Sequence, residues 1–166
     1  YASGKLPLGC QMCVKGEKLV IFATGFCPRH CFYCPLSDNR KDVDRIYANE
    51  WKLTNENEID AIIKEAELTR AKGAGITGGD PLVKIDRTAK YIKILKEKFG
   101  KKFHIHLYTT MDLLTKENLD KLYTAGLDEI RIHPNFYIKK EWQKIDLIKK
   151  YDWKIIVRQL ENVYEQ

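Results

Sequence analysis

Residues 103–109, Phe-His-Ile-His-Leu-Tyr-Thr, decide the fold. Phe103, Ile105 and Leu107 alternate with His104, His106 and Tyr108. That period of two puts successive side chains of a β-strand on opposite faces, so one face is apolar and the other polar. Residues 128–133 repeat the pattern, with Ile130 and Ile132 opposing Glu129, Arg131 and His133. Between these two strands residues 115–125 have helical spacing, and Gly126 ends it.

Strand–helix alternation extends in both directions. Residues 18–24 (KLVIFAT) predict a first strand and residues 25–44 a loop. Residues 55–72 predict a helix, with Asn55 and Glu58 as a capping box and Ile59, Ile62, Ile63 and Ala66 as its buried stripe. Residues 73–77 predict a second strand. Residues 86–99 predict a second helix, with Ala89, Ile92, Leu95 and Phe99 inward and Gly100 as the stop. A fourth helix (139–151), a fifth strand (153–157) and a last helical turn at Leu160, Val163 and Tyr164 follow.

This alternation implies a parallel sheet. A parallel strand covered by helices on both sides is apolar on both faces. Here one face is polar, which implies a curved sheet with helices outside and a ligand-holding concave face. The expected fold is therefore α/β, a parallel-stranded partial (β/α)6 barrel over residues 18–166. It is shortened on its C-terminal side, where residue 157 runs into helical spacing without a usual βα loop. Residues 1–17 form an N-terminal extension carrying a Cys10-Gln-Met-Cys13 knuckle.

The chain of 166 residues, 44% apolar and 31% charged, is long enough for one domain with a real core. No apolar run approaches the roughly 18 residues of a membrane span. Residues 1–16 lack the continuous apolar stretch of a secretory leader, and the expectation is a cytoplasmic protein with no membrane partner. The net charge of +6 is densest between Lys93 and Lys102, which reads as a solvated helix face. The excess suits an anionic small molecule, an acidic partner protein or nucleic acid.

Five cysteines carry the chemistry. Cys27, Cys31 and Cys34 form a CxxxCxxC loop after the first strand. Three thiolates can hold three irons of a cubane cluster and leave the fourth iron open to a small chelating molecule. Four cysteines are the ordinary electron-transfer arrangement. Zinc is the competing reading and would need a fourth ligand such as His30 or one of the CxxC pair, Cys10 or Cys13. Cys10 and Cys13 are either half of an auxiliary metal site or a plain pair of thiols.

At these residues the sequence resembles the radical S-adenosylmethionine (SAM) superfamily, over nearly the whole chain from Lys18. Tyr33 precedes the last cysteine as the family has it. Gly78-Gly79-Asp80-Pro81 at the end of the second strand looks like the family's Gly-Gly-Glu-Pro motif with Asp for Glu. More closely, the chain resembles an uncharacterised archaeal-type group related to the activating enzymes of glycyl-radical enzymes. The resemblance implies a 4Fe–4S cluster on Cys27, Cys31 and Cys34, with SAM chelating the open iron. It implies a radical SAM barrel with both at the carboxyl ends of the strands, and an electron donor such as ferredoxin or flavodoxin. The reaction implied is cleavage of SAM to a 5′-deoxyadenosyl radical that abstracts hydrogen from substrate. Candidate substrates are a protein or peptide, an RNA base or a small anionic metabolite.

Within that resemblance Tyr33, Gly78, Gly79, Asp80, Pro81, Thr110 and Arg131 are the expected cofactor-binding residues. Gly78 and Gly79 would let backbone approach the ligand, and Asp80 would accept a hydrogen bond from its ammonium group. Arg131 either pairs with Glu129 or holds SAM's carboxylate or ribose. Thr109-Thr110-Met111 stands where similar enzymes often show Thr-Asn-Gly, so no role carries over to Met111. His106 and His133, near strand carboxyl ends, are the expected catalytic residues. His104 reads as structural and His30 as packed or exposed. Trp51, Trp142 and Trp153 read as core or surface aromatics. The rival from another class is a non-catalytic, zinc-stabilised binding module.

Overall fold

The computed structural model of the protein describes residues 6–133 and 139–157. In chain order its elements are α1 (Leu8–Val14), β1 (Lys18–Phe22), β2 (Ile46–Ala48), β3 (Trp51–Leu53), α2 (Ile59–Leu68) and β4 (Gly73–Thr77). A 3-10 turn (Pro81–Lys84), α3 (Ile85–Phe99), β5 (His104–Thr109), α4 (Lys116–Ala125), β6 (Glu129–Ile132), α5 (Lys139–Ile148) and β7 (Lys154–Val157) follow. One sheet runs in the order β3-β2-β1-β4-β5-β6-β7. Strands β1, β4, β5, β6 and β7 are mutually parallel. This is the α/β partial barrel that the alternation implied.

The antiparallel hairpin β2–β3 was not anticipated. Its turn residue Asn49 takes a left-handed φ of 51°, which Asn tolerates better than most residues. The Asn49 backbone N–H donates to the Val20 carbonyl at 2.7 Å, and its Oδ1 accepts from the Val20 N–H at 2.9 Å. Both bonds fasten the hairpin to β1. Helix α2 opens at Ile59, four residues later than the expected start at residue 55. The reason is local. Asn55 Oδ1 accepts from Asn57 N–H at 2.8 Å as an Asx turn, and Glu58 reaches back to Thr54 N–H at 3.2 Å. Helix α4 has the expected ends, with Thr115 Oγ1 capping Asn118 N–H at 3.2 Å and Gly126 left-handed at φ 96°.

The outward face of the sheet is the core. Leu19, Ile21, Ala74, Ile76, Ile105, Leu107, Ile130 and Ile132 are all 0% exposed. They cluster with Ile62 and Ala66 of α2, Ile92 and Leu95 of α3, and Leu119 and Leu122 of α4. Truncating a buried leucine or isoleucine to alanine costs about 2–5 kcal/mol, so this layer holds the barrel wall rigid behind the concave face. Trp153 belongs to the core and donates Nε1–H to the Leu127 carbonyl at 2.8 Å, whereas Trp51 is exposed. The Trp142 side chain and residues 160–164 lie outside the described residues. Lysines of α3 pair with carboxylates, Lys98 with Glu67 at 3.2 Å and Lys96 with Asp128 at 2.6 Å, as on a solvated helix face.

The concave face carries the larger surprise. Residues 10–13 are helical rather than a knuckle, because the whole segment lies across the barrel interior as α1. It packs against β1, β4 and β5. A Cβ on Gly9 would stand 2.6 Å from Arg131 Nη2 and 2.7 Å from His106 Nδ1. Only glycine allows the helix backbone to settle this close to the sheet.

Candidate active site

A cavity of about 750 Å³ runs along the concave face. Its upper wall comes from residues that follow the parallel strands: the cysteine loop after β1, Gly78 and Gly79 after β4, Thr110 after β5 and His133 after β6. Its lower part is formed by Lys18, Gly75, His106 and Arg131 on the sheet and Cys13 on α1. Parallel α/β sheets present such crevices at the carboxyl ends of their strands.

Cys27, Cys31 and Cys34 all line this cavity, as partly buried free thiols. Burial pushes the Cys27 thiol above its ordinary value, against a backbone hydrogen bond from Arg29 at 3.4 Å. Among the described residues no group of three or more His, Cys, Asp or Glu is arranged to hold a metal ion. His30, the suggested fourth zinc ligand, is exposed and lies away from the cavity lining. Three thiols on one loop suit a centre that takes three protein ligands, and Cys13 of α1 and His133 line the same cavity.

Tyr33 and His133 meet at the cavity mouth, with the tyrosine hydroxyl 3.1 Å from His133 Nε2. His106 lies deep, 2% exposed, against Gly75 and α1. Burial, reinforced by the positive charges of Lys18 and Arg131, lowers its pKa to about 2. It is a neutral wall of the cavity. His104 is structural as expected, with Nδ1 3.1 Å from Lys18 Nζ and Nε2 3.5 Å from Glu129.

The Gly-Gly-Asp-Pro turn serves the protein more than was expected. A Cβ on Gly78 (φ 148°) would meet the Thr24 carbonyl at 2.2 Å, and one on Gly79 the Phe26 carbonyl at 2.3 Å. Gly79 and Asp80 N–H groups donate to those carbonyls at 2.8 Å each. The glycines therefore zip the turn onto the chain entering the cysteine loop. Asp80, expected to meet the ligand's ammonium group, is engaged by the protein's own donors. It is 0% exposed, and its carboxylate accepts from Leu82 N–H (3.0 Å), Thr110 N–H (3.0 Å), Thr110 Oγ1 (2.6 Å) and Thr109 Oγ1 (3.0 Å). Pro81 is also buried, starting the 3-10 turn while its carbonyl accepts from Thr88 Oγ1 at 2.8 Å. Thr110 does line the cavity. Met111 adopts φ 76° with a fully buried side chain, the left-handed conformation that glycine supplies most easily.

Arg131 takes the paired arrangement. Its Nε–H donates to Glu129 Oε1 at 2.6 Å and its Nη1–H to the Tyr108 hydroxyl at 2.5 Å. The guanidinium thus reaches back toward the start of β6, away from the cysteine loop. Burial would raise the Glu129 pKa, but His104 and Arg131 outweigh it and hold it at about 2. Arg131→Met should lose about 3–5 kcal/mol of stability, because it leaves the 0%-exposed Glu129 carboxylate without its guanidinium. Urea unfolding checks this. A stable Arg131→Met protein that has lost SAM binding would restore the ligand-holding role.

Residues 21–166 match the family model described as the Radical SAM superfamily. The chain belongs to the radical SAM superfamily. It is 51% identical over 156 residues to a Methanocaldococcus jannaschii protein provisionally named a glycyl-radical enzyme activating enzyme, covering 89% of this chain and 40% of that protein. It is 30% identical over 121 residues to a biotin synthase of Pseudoalteromonas translucida, covering 69% of this chain and 32% of that enzyme. The chain thus spans less than half the length of these curated relatives. The radical SAM assignment agrees with a cysteine loop and a Gly-Gly-Asp-Pro turn locked together at the ends of neighbouring strands.

Two ion-pair clamps of this radical SAM domain went unread in the sequence. Arg29, inside the cysteine loop, pairs with Asp112 after β5. Arg87 of α3 pairs with Asp44 and also reaches the Ala23 carbonyl at 2.9 Å, closing the base of the same loop. The Arg87 hydrogen bonds hold the Asp44 carboxyl well below the usual carboxylate range. An arginine within the cysteine motif was the available signal; its partner 83 positions away was not.

His106 also sets a pH dependence. The folded protein keeps it neutral, whereas the unfolded chain takes up a proton below its ordinary pKa of 6.5. Its contribution is therefore full above pH 6.5 and is lost as pH falls toward about 2. The slope is about 1.4 kcal/mol per pH unit. Glu129, depressed from 4.5 to about 2, adds a second loss below pH 4.5. Urea unfolding between pH 7.5 and 5 should show the first loss, and His106→Gln should flatten it.

Proposed function

We propose that this chain is the catalytic core of a radical SAM enzyme, with Cys27, Cys31 and Cys34 as the protein ligands of a 4Fe–4S cluster. The observation that carries this is the placement of all three thiols and the Gly78–Gly79 turn on one cavity at the strand carboxyl ends. Together, the reduced cluster and SAM supply reductive cleavage to a 5′-deoxyadenosyl radical. Cys27, Cys31 and Cys34 would hold the cluster, and the neighbouring Gly78–Gly79 turn would receive SAM.

The chain's own groups then have defined tasks. The Gly78–Gly79 backbone and Thr110 Oγ1 face the ligand, and Asp80 orients Thr110 from behind. Tyr33 and His133 border the mouth where substrate enters, and His133 is the candidate acid–base group there. His106 and the Arg131–Glu129 pair wall off the lower end, so their role is positioning. The electron donor is a small redox protein of the ferredoxin or flavodoxin kind. The 51% relative's name favours a glycyl hydrogen of a partner protein as substrate; an RNA base or small anionic metabolite are the remaining classes. Cys10 and Cys13 would hold a second metal only with ligands beyond the described residues. As a unit, α1 belongs with the barrel because it packs on β1, β4 and β5, and the described residues from 18 onward build the wall.

The test is anaerobic reconstitution with iron and sulfide, followed by elemental analysis, an absorption spectrum and assay of 5′-deoxyadenosine with SAM and dithionite. About four irons per chain and reductant-dependent 5′-deoxyadenosine are expected. Stoichiometric zinc with no reconstitutable iron would establish the zinc-stabilised binding module instead.

A further inference from the structure

The cysteine loop is held by an arginine that the proposed function does not use. Arg29 lies between Cys27 and Cys31. Its Nε–H and Nη2–H donate to the two carboxylate oxygens of Asp112 at 2.5 and 3.0 Å, and its Nη1–H donates to the His133 carbonyl at 3.1 Å. One side chain thereby joins the loop after β1 to the ends of β5 and β6. Asp112 is itself fixed. Its Oδ2 lies 3.2 Å from Thr110 Oγ1, and its carbonyl accepts from Lys144 of α5 at 2.9 Å. Thr110 in turn donates to the buried Asp80.

A forked guanidinium on a carboxylate fixes orientation as well as distance, which a single contact does not. We infer that Arg29 is the positioning residue of the cysteine loop, clamped by Asp112. Resting on the cluster reading above, we also infer that its guanidinium is a fixed positive charge that raises the reduction potential of the bound cluster. Two features support the second part. The Arg29 backbone N–H contacts Cys27 Sγ at 3.4 Å, and its side chain is only 14% exposed. Net charge and hydrogen bonds to sulfur are the levers that set cluster potentials. A charge this sheltered is screened little by salt.

The experiment compares Arg29→Gln, Asp112→Asn and Arg29→Lys. In metal-free protein, chymotrypsin reports loop order, because Phe32 and Tyr33 are exposed on the loop. Losing a bidentate charged pair should speed cleavage there about 10–100-fold in all three variants. In reconstituted protein the midpoint potential separates charge from order. Arg29→Gln should move it negative. Asp112→Asn, which keeps the guanidinium and removes the carboxylate, should move it positive. Arg29→Lys should stay near wild type despite its loose loop.

Thermal melting identifies any variant that is globally unfolded, and Arg29→Lys then decides the proteolysis arm. Unchanged cleavage in folded variants overturns the clamp. Potentials that stay put, or shift in the same direction for Arg29→Gln and Asp112→Asn, overturn the electrostatic role. If wild-type protein takes up no iron, the proposed function fails while the proteolysis arm still decides the clamp.

Discussion

Cys27→Ala removes the iron–sulfur absorption of anaerobically reconstituted protein altogether and ends formation of 5′-deoxyadenosine. The reasoning is stoichiometric. Cys13 lines the same cavity, but it sits on α1 and not on the CxxxCxxC loop that holds Cys31 and Cys34. Two thiolates are half of an ordinary cluster ligand set, and an open iron of catalytic use requires the other three to be held. Folding should be largely spared. Cys27 is partly buried on a loop outside the core cluster, and the bond its sulfur accepts from Arg29 N–H is a long 3.4 Å. Thermal unfolding of metal-free protein should therefore stay within about 1 kcal/mol of wild type. Undiminished iron in Cys27→Ala would move the centre away from this loop, and the CxxC of α1 would be the next place to look.

Asp80→Asn gives the second large effect, and it falls on stability first. The carboxylate is fully buried and accepts from Leu82 N–H at one oxygen and from Thr110 N–H and Oγ1 at the other. An amide offers one acceptor, and its NH₂ group points a donor at a donor. The hydroxyl of Thr109 can rotate; the backbone N–H of Leu82 cannot. Leaving one such group buried and unpartnered costs about 1–3 kcal/mol, and the lost charge assistance adds to it, so about 2–4 kcal/mol is expected. SAM affinity should fall alongside, because the same bonds fix Thr110 and the Gly78–Gly79 turn at the cavity wall. Urea unfolding and calorimetric titration of SAM check the two together. Affinity lost with stability unchanged would return Asp80 to direct contact with the ligand.

Much of this architecture was legible in residue order. The alternation in residues 103–109 and 128–133 separated the core face from the cavity face correctly, because a strand's period of two is a local property. The cysteine spacing and the Gly-Gly-Asp-Pro turn named one cavity from two distant segments. What stayed hidden was contact at long range. Arg131 in isolation resembles a ligand-binding arginine, and only the assembled sheet shows it turned back onto Glu129. Asp80 looked like a ligand contact because the donors that saturate it come mostly from Thr109 and Thr110, some 29 positions on. The hairpin β2–β3 is too short, at three residues a strand, for periodicity to register.

The seat of α1 has a consequence in time as well as in space. Gly9 fits against His106 and Arg131, so its docking surface exists only after β5 and β6 have joined the sheet. Helix α1 therefore cannot reach its seat before those two strands have paired. It closes contacts across more than a hundred residues, and the loop entropy of doing so delays it further. Until it arrives, the polar hollow of the barrel stays open to water, and Lys18, His106, Glu129 and Arg131 can settle their protonation and pairing while still solvated. Docking of α1 then narrows that hollow to the cavity lined by Cys13, Lys18, His106 and Arg131.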